Sequence, residues 1–197
     1  MSETEQSLSQ RLISGEAEAF NEVVRLYHSS LFRLAKRLLR NEADAQEVVQ
    51  DSFLAAFEGR KRFAGRAKIR TWLLSIAYNK AVDRLKAVNR DNWAIQGSLQ
   101  DSNLWEKVTK VQHITDWRAN PEQSFEQEEL VELLQKALKE VPAESKAAFE
   151  LQDIQGLNSR EVAETLGISE GAARVRVHRV RQYLMAALQD LDSNQRS

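Results

Sequence analysis

The chain contains no cysteine. That excludes a disulfide framework and a thiol-based redox sensor within it, and it suits a reducing cytosol. No apolar run approaches the roughly 20 residues needed to cross a bilayer, and the polar start Met1-Ser2-Glu3-Thr4-Glu5-Gln6 is no signal peptide. A soluble, cytoplasmic protein without membrane insertion is therefore expected. There is no glycine-rich phosphate-binding loop, and His28, His113 and His178 are too scattered for a metal set. Neither an enzyme nor a metal or cofactor site is expected.

Charge is present but divided. The net value of −1 over 197 residues hides a basic block at positions 60–90, where Arg60, Lys61, Arg62, Arg66, Lys68, Arg70, Lys80, Arg84, Lys86 and Arg90 face the single acid Asp83. Residues 91–145 offset it with eleven acids against five bases. A local cationic excess of this size points to nucleic acid.

The basic block carries a helical pattern. From Trp72 to Arg90 there is no glycine or proline, and Leu74, Ala77, Ala81, Leu85 and Val88 recur at helical spacing, which predicts one buried stripe. The opposite face then presents Trp72, Ser75, Ile76, Asn79, Asp83, Lys86 and Arg90. An exposed aromatic among cations suits single-stranded nucleic acid, because unpaired bases stack on rings while cations follow phosphates.

The remaining chain reads as helices around small cores, which 42% hydrophobic residues can fill. Residues 1–15 are expected to be a short disordered tail, with Ser14-Gly15 before Glu16 as the entry to the first helix. Positions 16–40 predict two helices broken near His28-Ser29-Ser30. After Asn41-Glu42-Ala43-Asp44 a further helix should bury Val49, Phe53, Ala56 and Phe57 and expose the acids Asp44, Glu47, Asp51 and Glu58, ending at Gly59. Residues 91 to about 125 lose the helical period and contain Gly97, Pro121, Trp93, Trp105 and Trp117, so they read as a linker between two domains.

The second unit should begin near Pro121-Glu122, bury Phe125, Leu130, Leu133, Leu134, Ala137 and Leu138, and stop at Val141-Pro142. A short helix follows over Ala147, Leu151 and Ile154 up to Gly156. Asn158 and Glu161 form a capping-box-like start for the helix Ser159 to Leu166. Gly167-Ile168-Ser169 then turns the chain into a helix from Glu170 to about Leu188, completing a helix-turn-helix. Its buried face is Ala173, Val177, Val180, Leu184 and Leu188. Its outer face, with Gly171, Val175, His178, Arg179 and Gln182 flanked by Arg174 and Arg181, suits a major groove.

Two sets of residues resemble one family. Phe63, Gly65, Thr71-Trp72-Leu73, Ile76-Ala77, Asn79 and Asp83-Arg84 stand in the order and spacing of the promoter-melting region of bacterial sigma-70-type sigma factors, and the small extracytoplasmic-function group is the nearest match. Val141-Pro142, Gly156-Leu157, Glu161-Val162-Ala163, Leu166-Gly167-Ile168-Ser169-Glu170-Gly171 and His178-Arg179-Val180-Arg181 resemble that family's carboxy-terminal pattern, with Ala172-Ala173 in place of the common Thr-Val. Asp44-Ala45-Gln46-Glu47-Val48-Val49-Gln50-Asp51 resembles the segment that docks on the clamp of core RNA polymerase, although Gln46-Glu47 departs from the usual Glu-Asp pair.

The resemblance implies an all-α fold of two helical domains joined by a flexible linker: 12–90 for polymerase docking and the minus-10 element, 91–124 as linker, and 125–190 for the minus-35 element. It implies strand capture by Phe63, Arg66, Lys68, Trp72, Asn79, Asp83, Lys86 and Arg90, with a flipped base entering the basic loop. Docking falls to Asp44, Glu47, Gln50 and Asp51, and duplex reading to Arg174, Val175, His178, Arg179 and Gln182. The implied partners are core RNA polymerase and promoter DNA, with the linker passing near the polymerase active-site and RNA-exit channels. A cysteine-free chain with two binding faces has no obvious switch of its own, so an anti-sigma partner is expected too. The competing reading is a stand-alone dimeric helix-turn-helix regulator. It uses residues 140–188 and leaves the Trp72 face, the basic loop and the acidic stripe without a role.

Overall fold

The structure is a computed structural model that describes residues 3–63, 65, 67–88 and 136–195. Within these residues the fold is all-α. The linker with its three tryptophans, Arg66, Arg90, the side chain of Val88, and the expected core positions Phe125, Leu130, Leu133 and Leu134 lie outside the described residues.

The first unit starts earlier than the composition suggested. Residues Glu3–Ser14 form a helix, α1, rather than a disordered tail. Leu8 and Leu12, one turn apart, are buried and pin this polar segment to the core. Gly15 adopts φ +87°, a left-handed turn that suits glycine. Arg11 then reaches past the turn to Glu16 at 2.9 Å and Glu22 at 3.3 Å.

Helix α2 runs unbroken over Ala17–Leu39, so the expected break at His28-Ser29-Ser30 does not occur. Serine only weakly disfavours helix, and Val23, Leu31, Leu34, Ala35 and Leu38 hold both halves against one core. The helix ends at Arg40, which takes φ 58° and returns its backbone N–H to the Lys36 carbonyl. Asn41 caps α3 (Glu42–Gly59), its side-chain oxygen accepting from the N–H groups of Ala43 and Asp44. Such a cap is worth about 1 kcal/mol. Val49, Phe53 and Ala56 are buried as expected, but Phe57 is 38% exposed. A 3₁₀ turn, Arg60–Arg62, leads through the basic loop to α4 (Ile69–Val88).

Helix α4 buries more than one stripe. Leu74, Ala77 and Ala81 are inside as expected, and Ile69, Thr71, Leu73 and Tyr78 are buried as well. At 100° per residue the buried arc covers about 200°. The reason is tertiary: α4 packs against α2 and α3 and also against a helix of the second unit.

The described part of that second unit opens with helical residues 136–140, in which Ala137 and Leu138 are buried. Helix α5 (Ala143–Phe149) begins after Pro142 and continues as a π-helical turn, Glu150–Ile154. Ile154, expected inside, is 52% exposed. The widened turn rotates it outward from where a regular helix would carry it. Gly156 at φ +72° reverses the chain. Helix α6 (Ser159–Leu166) has the expected capping box, the Asn158 side chain accepting from the Glu161 N–H and the Glu161 carboxylate accepting from the Asn158 N–H, both at 3.0 Å. Gly167, in the left-handed region, closes it. Ser169 then accepts from the Ala172 N–H at 3.2 Å and starts α7 (Glu170–Gln195), which extends past the expected end near Leu188.

One hydrophobic core runs through both units, from Leu31, Leu34, Leu73 and Leu74 to Leu151, Val162, Ala173 and Val177. A smaller cluster of Ala137, Leu138, Val141, Val180 and Leu184 holds α7 to the start of its own unit.

Candidate functional site

The basic loop and the start of α4 form a shallow recess. Phe63 is buried and stacks on half-buried Trp72, with ring centroids 4.6 Å apart and 24° between the planes. One Trp72 face is thereby taken by the fold. Arg62, Phe63, Ala67, Thr71, Trp72 and Ser75 line a recess of about 230 Å³, joined by Glu164 from α6. Asn79, Asp83 and Lys86 are exposed further along α4. Ile76, expected on the outer face, is half-buried against the core.

The acidic stripe lies next to this helix. Glu47, Gln50 and Asp51 are exposed on α3, and Asp44 is half-buried. Arg84 of α4 donates to Asp44 through Nε at 3.2 Å and Nη2 at 2.6 Å, and to Glu47 at 2.7 Å. Hydrogen bonding to Asp44, with the charges of Glu47 and Asp44, raises the Arg84 pKa above its ordinary value. Two of the expected docking residues therefore meet the helix expected to face DNA, a juxtaposition with no signal in local sequence.

Gln50 also borders an apolar groove of about 520 Å³ with Phe20, Val24, Val49, Phe53, Leu54 and Phe57. Leu54 is 58% exposed there. Sequence periodicity assigned Phe57 to the core and passed over Leu54. Their place beside Gln50 makes the candidate docking surface apolar as well as acidic.

On α7, Ala173, Val177, Val180 and Leu184 are buried, and Arg174, Val175, His178 and Arg179 are exposed. Gln182 is half-buried. The cluster of four arginines is less available than its sequence suggests. Arg181 donates to Asp153 at 2.9 and 2.5 Å, and the Asp153 side chain is only 2% exposed. Arg176 pairs with Glu144 at 2.5 Å. Arg174 pairs with Glu170 one turn earlier.

Several polar contacts join the units. Lys68 pairs with Glu161 at 2.7 Å, and Arg70 donates to the Gln155 carbonyl at 2.9 Å. Gln155 in turn donates from Nε2 to the Ser30 carbonyl at 3.1 Å. Arg37 donates to the almost fully buried Glu150 at 3.2 Å, and the Arg40 guanidinium meets the Lys139 carbonyl. Burial resists ionisation of Glu161, but bonds from Lys68 and the Asn158 N–H, with the charges of Lys68 and Arg70, hold its pKa below the usual value. Burial likewise lowers the Arg70 pKa.

Together these features define an all-α, two-unit protein with a helix-turn-helix in its second unit and a basic, aromatic-lined recess in its first. The family model for sigma-70 region 2 matches residues 23–91, and that for sigma-70 region 4 matches residues 131–184. The chain is 30% identical over 176 residues to the ECF RNA polymerase sigma factor SigM of Mycobacterium tuberculosis, covering 89% of this chain and 80% of that one. It is similar to the solved structure of CnrH in complex with the cytosolic domain of CnrY, at 25% identity and a TM-score of 0.61, with 94% and 97% of the two chains covered. The fold is also that of the sigma factor RpoE from Bartonella quintana, solved in complex with the anti-sigma factor NepR, at 20% identity and a TM-score of 0.63 over 88% and 98% of the chains. The chain belongs to the sigma-70 family of RNA polymerase sigma factors, in its extracytoplasmic-function group. No helix among the described residues is long and apolar enough to cross a membrane.

Proposed function

We propose that this sigma factor brings core RNA polymerase to its promoters by a division of labour between its two units. The α3 face with Asp44, Glu47, Gln50 and Asp51 docks on the polymerase clamp. The basic loop and outer face of α4, with Phe63, Arg66, Lys68, Trp72, Asn79, Asp83, Lys86 and Arg90, capture non-template bases of the minus-10 element and stabilise the bubble. The start of α7, with Arg174, Val175, His178, Arg179 and Gln182, reads the minus-35 duplex. The proposed domain limits remain 12–90, 91–124 and 125–190, with α1 added to the first. Bond formation belongs to the polymerase, so the chain itself acts in the cytoplasm without catalysis or cofactor.

The observation that carries this reading is the outward aspect of α7. A capped helix and a glycine turn present Arg174, Val175, His178 and Arg179 on one exposed face, as a second helix entering a major groove requires. An anti-sigma factor is the proposed inhibitory partner, covering the surfaces that face polymerase. The assembly of the Bartonella quintana protein with NepR supports that class of partner.

Gel shifts on a promoter pool, with and without core polymerase, test the proposal. Weak binding by the chain alone and specific binding with core are expected, because each unit offers a small footprint. Tight, salt-resistant, sequence-specific binding by the chain alone would instead favour a dimeric regulator.

A further inference from the structure

The carboxylates of α6 lie over the capture loop. The Oε1 atom of Glu161 meets the Lys68 ammonium at 2.7 Å, while Oε2 accepts from the Asn158 N–H at the helix start. One side chain therefore caps its helix and fastens that helix to the first unit. Glu164, one turn on, lines the recess with Arg62, Phe63 and Trp72. Negative oxygens occupy the basic surface where a nucleic-acid phosphate would otherwise bind.

Behind this contact lies a second, drier one. Gln155 bonds to both Ser30 and Arg70, and Arg37 bonds to Glu150, whose side chain is 2% exposed. Leu73 of α4 and Val162 of α6 belong to the same core. The contact between units thus combines buried apolar surface with directed polar bonds.

This arrangement cannot hold both promoter elements at once. Elements centred near minus 10 and minus 35 are about 25 base pairs apart, or roughly 85 Å of duplex. From Glu161 to Gln182 the path is at most about 40 Å, at 1.5 Å per helical residue and about 3.6 Å per turn residue. Since Glu161 touches Lys68, α7 is tied too close to the capture loop to read the distant element.

We infer that the free chain is self-blocked: its carboxy-terminal unit closes over the capture loop, places Glu161 and Glu164 where DNA phosphate would sit, and must part from the first unit before a promoter can be engaged. This inference rests on the proposed roles of the two units and adds a closed state to them. The 47 residues at 89–135 form a connection long enough in sequence to let the units separate.

A zero-length carbodiimide cross-link, which joins an amine to a carboxylate in contact, tests the closed state in the unmodified chain. A Lys68–Glu161 linked peptide is expected by mass spectrometry, and it should disappear when core polymerase is bound. Its absence from the free chain overturns the inference. Opening is tested with Glu161→Gln combined with Gln155→Ala, since glutamine retains the cap on α6 while the charge and the Ser30 bond are lost. With helical content unchanged, this variant should bind a fluorescent single-stranded oligonucleotide about tenfold more tightly than the parent chain. Unchanged binding overturns the inference even if polymerase carrying the variant melts promoters normally, an outcome that leaves the sigma reading intact. If the variant loses helical content, the cross-link result alone decides.

Discussion

Arg84 on α4 and Asp44 on α3 form a two-pronged pair, with Nε at 3.2 Å and Nη2 at 2.6 Å from one carboxylate oxygen. The helix proposed to face DNA is thereby tied to the helix proposed to face polymerase. The pair orders Asp44 and leaves Asp51 as the more accessible acid, its only printed partner being Lys80 at 4.0 Å.

Docking should therefore be more sensitive at one end of the acidic stripe than at the other. Glu47→Lys with Asp51→Lys should weaken binding to core polymerase at least tenfold, with DNA absent. Asp44→Asn should weaken it much less, and Arg84→Ala should change stability by less than about 1 kcal/mol, because the pair is partly exposed. Titration of labelled core polymerase with each variant checks the order. Equal losses from Asp44→Asn and the double charge reversal would place the contact elsewhere on α3.

The arginines of α7 should divide into two kinds of defect. Arg181→Ala strands the buried Asp153 carboxylate and should cost about 3 kcal/mol of stability, seen as an earlier midpoint in urea. Arg174→Ala should leave the midpoint nearly unchanged, because its pair with Glu170 is exposed. It should instead cost about 1–3 kcal/mol in binding of polymerase holoenzyme to a good minus-35 sequence. An unchanged urea midpoint in Arg181→Ala would show that Asp153 finds other partners.

Much of this was readable in the chain itself, wherever the signal was local. The capping box at Asn158 and Glu161, the left-handed Gly167 and the apolar spacing of α7 involve residues within a few positions of each other. Misreadings arose where tertiary contacts decide. The polar segment before Ser14 is helical because Leu8 and Leu12 find a core, and α2 crosses His28-Ser29-Ser30 because packing outweighs weak propensity. Periodicity put Phe57 inside, but no neighbouring element covers it fully. The second buried side of α4 answers to α6, some ninety positions away, and no sequence window spans that distance.

Lys146 gives the fold a pH signature. It is 4% exposed, and burial, reinforced by the positive charges of Arg40 and Arg37 and opposed by Glu140, lowers its pKa to about 8. The unfolded chain holds this proton up to about 10.5, so between those values it binds more protons than the folded chain, and stability should rise with pH. Tyr78 acts in the opposite sense. Burial, then the charge of Glu144 against that of Arg176, raises its pKa to about 12, and its contribution is lost as pH climbs from 10. Urea midpoints should therefore increase from pH 8 to about 10 and then turn over. In Lys146→Met the rise should vanish and the midpoint at neutral pH should be higher. A rise that persists in this variant would assign it to another group.

The π-helical turn at Glu150–Ile154 makes chain length, rather than residue identity, the critical property of that segment. Its extra residue lets Glu150 and Gln155 address the same neighbour, although five steps along a regular α-helix would leave them about 140° apart. Removing one residue would restore the ordinary period and swing everything beyond it by about 100°, carrying Gln155 away from Ser30. A substitution at the exposed Ile154 alters only a surface side chain. Among naturally occurring variants of this chain, point changes should therefore be common at position 154, and single-residue deletions within 150–154 should be rare.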